Sequence, residues 1–147
     1  MKPDTADHRA LARWAADCAE HVLPLFERTF PEDHRPRRAI EAARAWERGE
    51  LVMGEARAAA FAAHAAARDA SAHAAACAAA RAAGHAAATA HVASHAPHAA
   101  TYAATAAALG LSEAHGAAEA TTRERAWQRQ QLPEHLQSVA LPIRGNP

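Results

Sequence analysis

The chain has few of the residues that build β-sheets. Aromatic side chains make up 5% of its 147 residues, and β-branched residues are also scarce, which disfavours strands. Alanine supplies about a third of the sequence and has the highest helix propensity of all residues. The composition therefore predicts an all-α protein, and the length fits one domain.

The chain also lacks net charge, because its 16 basic and 16 acidic residues cancel. Without an overall positive field, we expect it to bind neither nucleic acid nor an anionic membrane. It has no run of about 20 uncharged apolar residues that would span a bilayer. Its first residues lack the apolar centre of a secretory signal. These absences predict a cytoplasmic protein.

Cysteine is rare as well. Cys18 and Cys77 are the only two, and they form no CxxC pair of the kind found in metal or redox sites. A cytoplasmic setting keeps such thiols reduced, so we expect both to be small buried side chains. We expect no cofactor.

Helical periodicity begins in the first part of the chain, where apolar residues from position 11 to position 22 recur at spacings of three and four. Asp4 or Thr5 is a candidate N-cap, and Pro24 is expected to break or kink this helix near residue 23. A second helix is predicted over residues 37 to 48. It follows a loop that ends at Pro36, and Gly49 favours its C-terminus.

Residues 54 to 108 form an alanine-rich section with only Phe61, Val92 and Tyr102 as large apolar side chains. We expect two or three long helices here, divided near residues 69 to 71 and again at Gly84 or around residues 95 to 97. A further helix, capped by Ser112, is predicted to end near residue 131. A short packed turn should follow it.

Alanine helices raise a question of stability, since a buried methyl group contributes only about 0.8 kcal/mol. Such helices are stable only if they pack very closely. We therefore expect them at the centre of the molecule, held by large side chains from both flanking segments: Leu11, Trp14, Val22, Leu25, Phe26, Ile40, Trp46, Trp127 and Leu132.

The tryptophans and prolines recur in no fixed register, which favours a bundle over a helical repeat. The prediction is a compact single-domain bundle of about six to seven helices over residues 1 to 143. Residues 144 to 147 are expected to form a frayed tail.

Three stretches carry a family resemblance. They are residues 11 to 50, which begin LARWAADCAEHVLPLF, residues 81 to 96, RAAGHAAATAHVASHA, and residues 123 to 133, RERAWQRQQLP. They resemble the Imm-5-like family of immunity proteins, which are small helical proteins of bacteria. The resemblance implies an all-helical domain that neutralises a toxin or another noxious product by binding it. It implies no catalytic residues.

Histidines are the first candidate functional residues, and His85, His91, His95 and His98 lie close together in alanine-rich sequence. If a helix ran through Pro97, the last three would share a face and could hold a metal ion. The alternatives are a ligand pocket lined by His85, His91 and His95, or histidines that are only hydrogen-bonded parts of the helices. We expect His85 and His91 to lie in the interior.

Asp17 and His21 form a second candidate group, since they are four residues apart on the first helix. They can pair like the carboxylate and imidazole of an acid/base dyad, or simply as a surface pair. Arg44 belongs to an arginine-rich stretch with interleaved acids. This pattern predicts ion pairs within the second helix, such as Glu41 with Arg44 or Arg37 with Glu41.

The leading interpretation is a protective binding protein whose partner is a protein toxin or a small natural product. Trp14, Trp46 and Trp127 are expected in the core, or one of them as the stacking wall of a ligand site. A small-molecule partner predicts a cleft lined by histidine and tryptophan, whereas a protein partner predicts an exposed apolar or charged patch. An enzyme that uses His85, His91 and His95 is the alternative. A homodimer is a further hypothesis.

Overall fold

The computed structural model describes residues 3–110 and 116–141, and this part of the chain forms seven α-helices and no strand. The helices are α1 (Thr5–Glu27), α2 (Arg35–Glu47), α3 (Met53–Asp69), α4 (Ala74–Ala88), α5 (Ala96–Leu109), α6 (Ala117–Gln131) and α7 (Glu134–Ala140). A short 3-10 turn, Ala93–His95, precedes α5. The helices pack against one another, which confirms the predicted all-α bundle.

Several helix ends lie where the sequence predicts them. Asp4 caps α1, because its Oδ1 accepts a hydrogen bond from the Asp7 amide at 2.8 Å. Pro36 lies in the first turn of α2, where its missing N–H costs no helical hydrogen bond. Gly49 has a φ of 77°, a left-handed conformation that glycine adopts readily, and it stops the chain from continuing α2.

The divisions expected near residues 69 to 71 and around residues 95 to 97 are formed, since α3 ends at Asp69 and α5 begins at Ala96. Two other candidate boundaries lie inside helices. Pro24 lies inside α1 instead of ending it. It is exposed, while its neighbours Leu23 and Phe26 are buried, so packing of the last turn outweighs the lost backbone hydrogen bond. Gly84 also lies inside a helix, α4. Its missing side chain makes room for the ring of His64 from α3.

The C-terminal part agrees with the prediction where it is described. α6 ends at Gln131, and α7 forms the short packed element that follows it. Leu136 and Leu141 of this element are buried, whereas Val139 is exposed. The predicted cap Ser112 and the predicted tail at residues 144 to 147 lie outside the described residues.

Helix α4 is the centre of the bundle, since it packs against α1, α2, α3 and α5. All of α4 is described, and within it only Ala74, the first residue, is exposed. Alanine covers most of its circumference, so neighbouring helices can approach it from several sides. The expectation that an alanine-rich helix lies centrally is therefore met by α4.

Large side chains of the flanking helices surround this centre. The predicted set is buried at Leu11, Trp14, Val22, Phe26, Ile40 and Leu132. Leu25, Trp46 and Trp127 are only half-buried, although Leu25 and Trp46 still pack against buried core residues. Both tryptophans lie against imidazole rings at the edge of the bundle: Trp46 against His8, and Trp127 against His21.

Polar hydrogen bonds attach α6, whose sequence has little apolar face. Gln128 is fully buried, and its carbonyl accepts a hydrogen bond from Trp14 Nε1 at 2.8 Å. Its side-chain Nε2 donates to the Ala100 carbonyl, also at 2.8 Å. Gln128 thus links α6 to α1 and α5, with its buried polar groups hydrogen-bonded. None of the described helices is long and apolar enough to cross a lipid bilayer.

Candidate functional site

Two groups of polar side chains lie on the bundle. The first is the histidine cluster, which we define as His64, His85, His95, His98 and Tyr102. The centroid of the His85 ring lies 4.9 Å from that of His64, 5.2 Å from that of His95 and 5.3 Å from those of His98 and Tyr102. The His85 and Tyr102 rings are stacked. Side chains from α3, the 3-10 turn and α5 therefore converge on the His85 ring of α4.

Local structure explains this convergence. His95, His98 and Tyr102 are spaced by three and four residues at the start of α5, so they lie on one helical face. His64 reaches α4 at Gly84, where an added Cβ would lie 2.6–2.8 Å from the imidazole ring. Only a glycine at this position lets His64 pack as it does.

Hydrogen bonding within the cluster is incomplete. The Nδ1 atoms of His85 and His95 are 3.0 Å apart, so one ring donates a hydrogen bond to the other. The Nδ1 atom of His64 is buried and has no hydrogen-bond partner among the described residues. A buried polar atom without a partner is costly, and native proteins have few of them.

Burial favours the neutral form of three imidazoles in this cluster, His64, His85 and His95. It lowers the pKa of His85 to about 4, and the nearby His64, His95 and His98 rings and Arg81 lower it further. Burial is also the main reason that the pKa values of His64 and His95 fall below the ordinary range. At neutral pH these rings are hydrogen-bonding groups and not cations.

The predicted alignment of His91, His95 and His98 on one helix is not formed. α4 ends at Ala88, and the chain passes through a turn before α5 begins at Ala96. His91 is exposed in this turn, so the expectation that it lies in the interior is wrong, while His85 is half-buried. Over residues 3–110 and 116–141, no group of three or more histidine, cysteine or acidic side chains is arranged to hold a metal ion.

The second group is the His21 groove, an open depression of about 430 Å³ lined by Asp17, Glu20, His21, Arg44, Trp127 and Gln131. The His21 ring stacks on Trp127 with 3.8 Å between centroids and 20° between planes. His21 Nδ1 lies 2.7 Å from Oε1 of Glu124, which is nearly buried. Because a carboxylate accepts, His21 Nδ1 donates, and this bond fixes the orientation of the ring.

The predicted partner of His21 is therefore wrong, since Glu124 takes the place of Asp17. Asp17 instead accepts a hydrogen bond from Arg44 at 2.9 Å, and Arg44 also binds Glu20. These contacts cross from α2 to α1. Carboxylates on a neighbouring helix lie within reach of the long guanidinium side chain, which explains why residue spacing within one helix predicts the wrong pairs.

Other α2 arginines behave in the same way. Arg37 forms a bidentate pair with Glu27 of α1, and Arg35 binds Asp33 and Asp69. The predicted hydrogen-bonded pairs of Glu41 with Arg44 and with Arg37 are not among the ion pairs of the described residues. Arg35, Arg37 and Arg44 thus link α2 to neighbouring helices, and of these three only Arg44 lies in the groove.

The remaining candidates lie outside both groups. Trp14 is buried in the core, and Trp46 packs against His8. Cys18 lies beside Asp17 in sequence but is fully buried. Burial, followed by the charges of Asp17 and Glu124, raises the pKa of its thiol, which disfavours the thiolate that a cysteine nucleophile needs. Cys18 and Cys77 are both free thiols, but only Cys18 is fully buried, so the expectation of burial is wrong for half-buried Cys77.

Sequence reasoning missed His64 and Glu124. His64 is the only histidine of α3, and its role depends on the approach of α3 to Gly84. Glu124 is one polar residue on a mostly polar helix, so the hydrophobic periodicity of the sequence does not show that it is buried against His21. A signal for His64 was present, because it is as isolated among alanines as His85.

Similarity to a known protein family extends over most of the chain. The sequence matches the family model described as Imm-5 like putative immunity protein over residues 1–135. No curated protein and no solved structure matched the chain. The match covers most of the 147 residues, and the observed bundle agrees with the helical domain that the family resemblance implies. The chain therefore belongs to the Imm-5 like immunity protein family.

Proposed function

We propose that this protein neutralises a protein toxin by binding it at the His21 groove. Family membership supports an immunity-like role in general, and the groove supplies an open contact surface for it. The observation that carries the proposal is the stacked pair of His21 and Trp127 in an open, mainly acidic depression.

The charge of the groove indicates the chemistry of the partner. Two carboxylates, Asp17 and Glu20, and one guanidinium, Arg44, line the groove. Such a surface favours a basic partner and repels an acidic one. We therefore expect a lysine or arginine side chain of the toxin to enter the groove.

The aromatic pair is the expected centre of the contact. Trp127 is half-buried, so part of its ring is open to a partner while His21 supports it. Tryptophan and arginine are the residue types that most often dominate binding energy in protein interfaces. A cation placed over the Trp127 ring would gain a further cation–π attraction.

A small natural product is the second candidate partner. The groove volume of about 430 Å³ falls within the range of small-molecule sites, and its histidine and tryptophan lining suits a planar, cationic molecule. The open outer side of the groove favours the protein partner, because a small molecule there would remain largely in contact with solvent.

A growth-rescue experiment tests the proposal. The products of genes that neighbour this one are expressed singly in a sensitive host, with and without this protein, to find a toxic product that it suppresses. Against that product, Trp127→Ala and the double substitution Asp17→Lys with Glu20→Lys should abolish rescue. Each should weaken binding by about 2 kcal/mol or more.

Glu32→Lys is the control, since it reverses one acidic charge at an exposed residue outside the groove. It should retain rescue. Thermal unfolding of each variant establishes that the bundle still folds. Full rescue by folded Trp127→Ala and by the double variant would refute the groove as the binding surface. Suppression of a small toxic metabolite, with no effect on any protein toxin, would favour the natural product.

A further inference from the structure

The histidine cluster lies in a part of the chain that has no acidic residue. Between Asp69 and Glu113 the sequence contains no aspartate or glutamate, but it contains Arg81 and five histidines. A stretch of this length without a carboxylate is unusual in a chain whose acids and bases balance overall. No carboxylate from this stretch can neutralise a positive charge on the cluster.

The groups around the cluster have the same character. The charges that act on its rings come from Arg68 and Arg81 and from the neighbouring imidazoles, including His91 in the turn. α1 and α2 also pack on α4, but among the described residues they contribute no charged group that acts on these rings. Tyr102 supplies a neutral hydroxyl from α5.

The hydrogen-bonding capacity of the cluster is only partly used internally. His64 Nδ1 is buried without a partner. Each imidazole has two ring nitrogens, and the contact between His85 and His95 uses one from each. His98 is exposed and the other rings are half-buried, so the cluster is open to solvent on the side of His98. Each neutral imidazole carries one N–H, so several donors lie close together.

We propose that the histidine cluster binds a tetrahedral oxyanion of the phosphate class, held by imidazole N–H groups of His64, His85, His95 and His98. The anion supplies acceptor oxygens for the imidazole N–H groups that the contact between His85 and His95 leaves unused. Arg68 and Arg81 contribute positive charge to the same region. This site is separate from the His21 groove, and it does not depend on how a toxin is bound.

Protonation couples to this binding. An imidazole that donates from both nitrogens is a cation, and a bound dianion stabilises that cation. Binding therefore raises the pKa of the cluster histidines and takes up protons from solution. The affinity should increase as the pH falls. A metal ion would have the opposite dependence, because it competes with protons for imidazole nitrogens.

Sulfate is the best probe, because its own charge stays constant over the pH range in which histidine titrates. Binding of sulfate to the full chain in chelator-treated buffer is measured by calorimetry and by NMR of the histidine ring protons. Between about pH 7.5 and about pH 5.5 the affinity should rise by about tenfold or more, since uptake of one proton changes affinity by up to tenfold per pH unit. Methyl phosphate in a parallel titration distinguishes a free anion from a phosphoryl group on a larger molecule.

The double substitution His85→Gln with His95→Gln should abolish sulfate binding and the associated NMR shifts. Arg81→Gln should weaken binding and leaves the cluster rings intact. His34→Gln, at an exposed histidine at the start of α2, should bind like the natural chain. Sulfate binding that is independent of pH, or equal in the double variant and the natural chain, would overturn the proposal. So would stoichiometric zinc binding that needs His85 and His95 while sulfate has no effect.

Discussion

A quantitative prediction follows from the contact between Gly84 and His64. In an ordinary helix interior, Gly→Ala stabilises a protein by about 1 kcal/mol. Here the new Cβ would lie 2.6 Å, 2.7 Å and 2.8 Å from Cε1, Nε2 and Nδ1 of His64. Overpacking of this kind costs about 1–3 kcal/mol. Gly84→Ala should therefore lose the usual gain and destabilise the chain by up to about 2 kcal/mol.

A double-mutant cycle isolates the contact. When His64→Ala removes the ring, Gly84→Ala should regain its full stabilisation of about 1 kcal/mol. The free energy of unfolding is measured by urea denaturation followed by circular dichroism. The coupling between the two positions should be about 1–3 kcal/mol.

Gly54→Ala is the matched control, because Gly54 is also helical and nothing lies within 4 Å of its added Cβ. It should stabilise the chain by about 0.5 kcal/mol in either background. If Gly84→Ala stabilised the natural chain as much as it stabilises the His64→Ala chain, the reasoning about this contact would be refuted.

Three further predictions follow from burial. His85 has a folded-state pKa of about 4, below its ordinary value near 6.5, so between these two pH values the unfolded chain binds a proton that the folded chain does not. The urea midpoint should therefore fall as the pH drops from about 6.5 to about 4, and it should fall less in His85→Gln. Iodoacetamide should label Cys77 before the buried Cys18, whose thiol pKa is raised by burial; equal labelling by mass spectrometry would contradict this. Ala83→Leu in buried α4 should lower the free energy of unfolding by about 1–3 kcal/mol. Ala58→Leu, at an exposed position of α3, should change it by less than about 0.5 kcal/mol.

The helices could be predicted largely from the sequence, because helix propensity and capping are local properties. Asp4, Pro36 and Gly49 each act on the residues next to them, and their positions were sufficient to place helix ends. Pro24 and Gly84 lie inside helices, and the reason for this is not local. Their cost or benefit is decided by packing with other helices, which local rules do not contain.

The candidate sites were less predictable, because they depend on contacts between distant parts of the chain. The structure brings His85 and His95 together, two residues that the sequence singled out, and adds His64 from another helix. His21 was also singled out, but its partner Glu124 lies on α6. Spacing on one helix identifies which side chains share a face. It does not identify what packs against that face.

The alanine surface of α4 also restricts how proteins of this kind can diverge. Only glycine is smaller than alanine, so one side chain in the centre cannot shrink to accommodate the growth of its neighbour. Accepted substitutions must therefore accumulate on the outer helices, where Trp127 and His98 lie. A lineage with this architecture can change the side chains of its outer helices over evolutionary time while its central scaffold stays nearly unchanged.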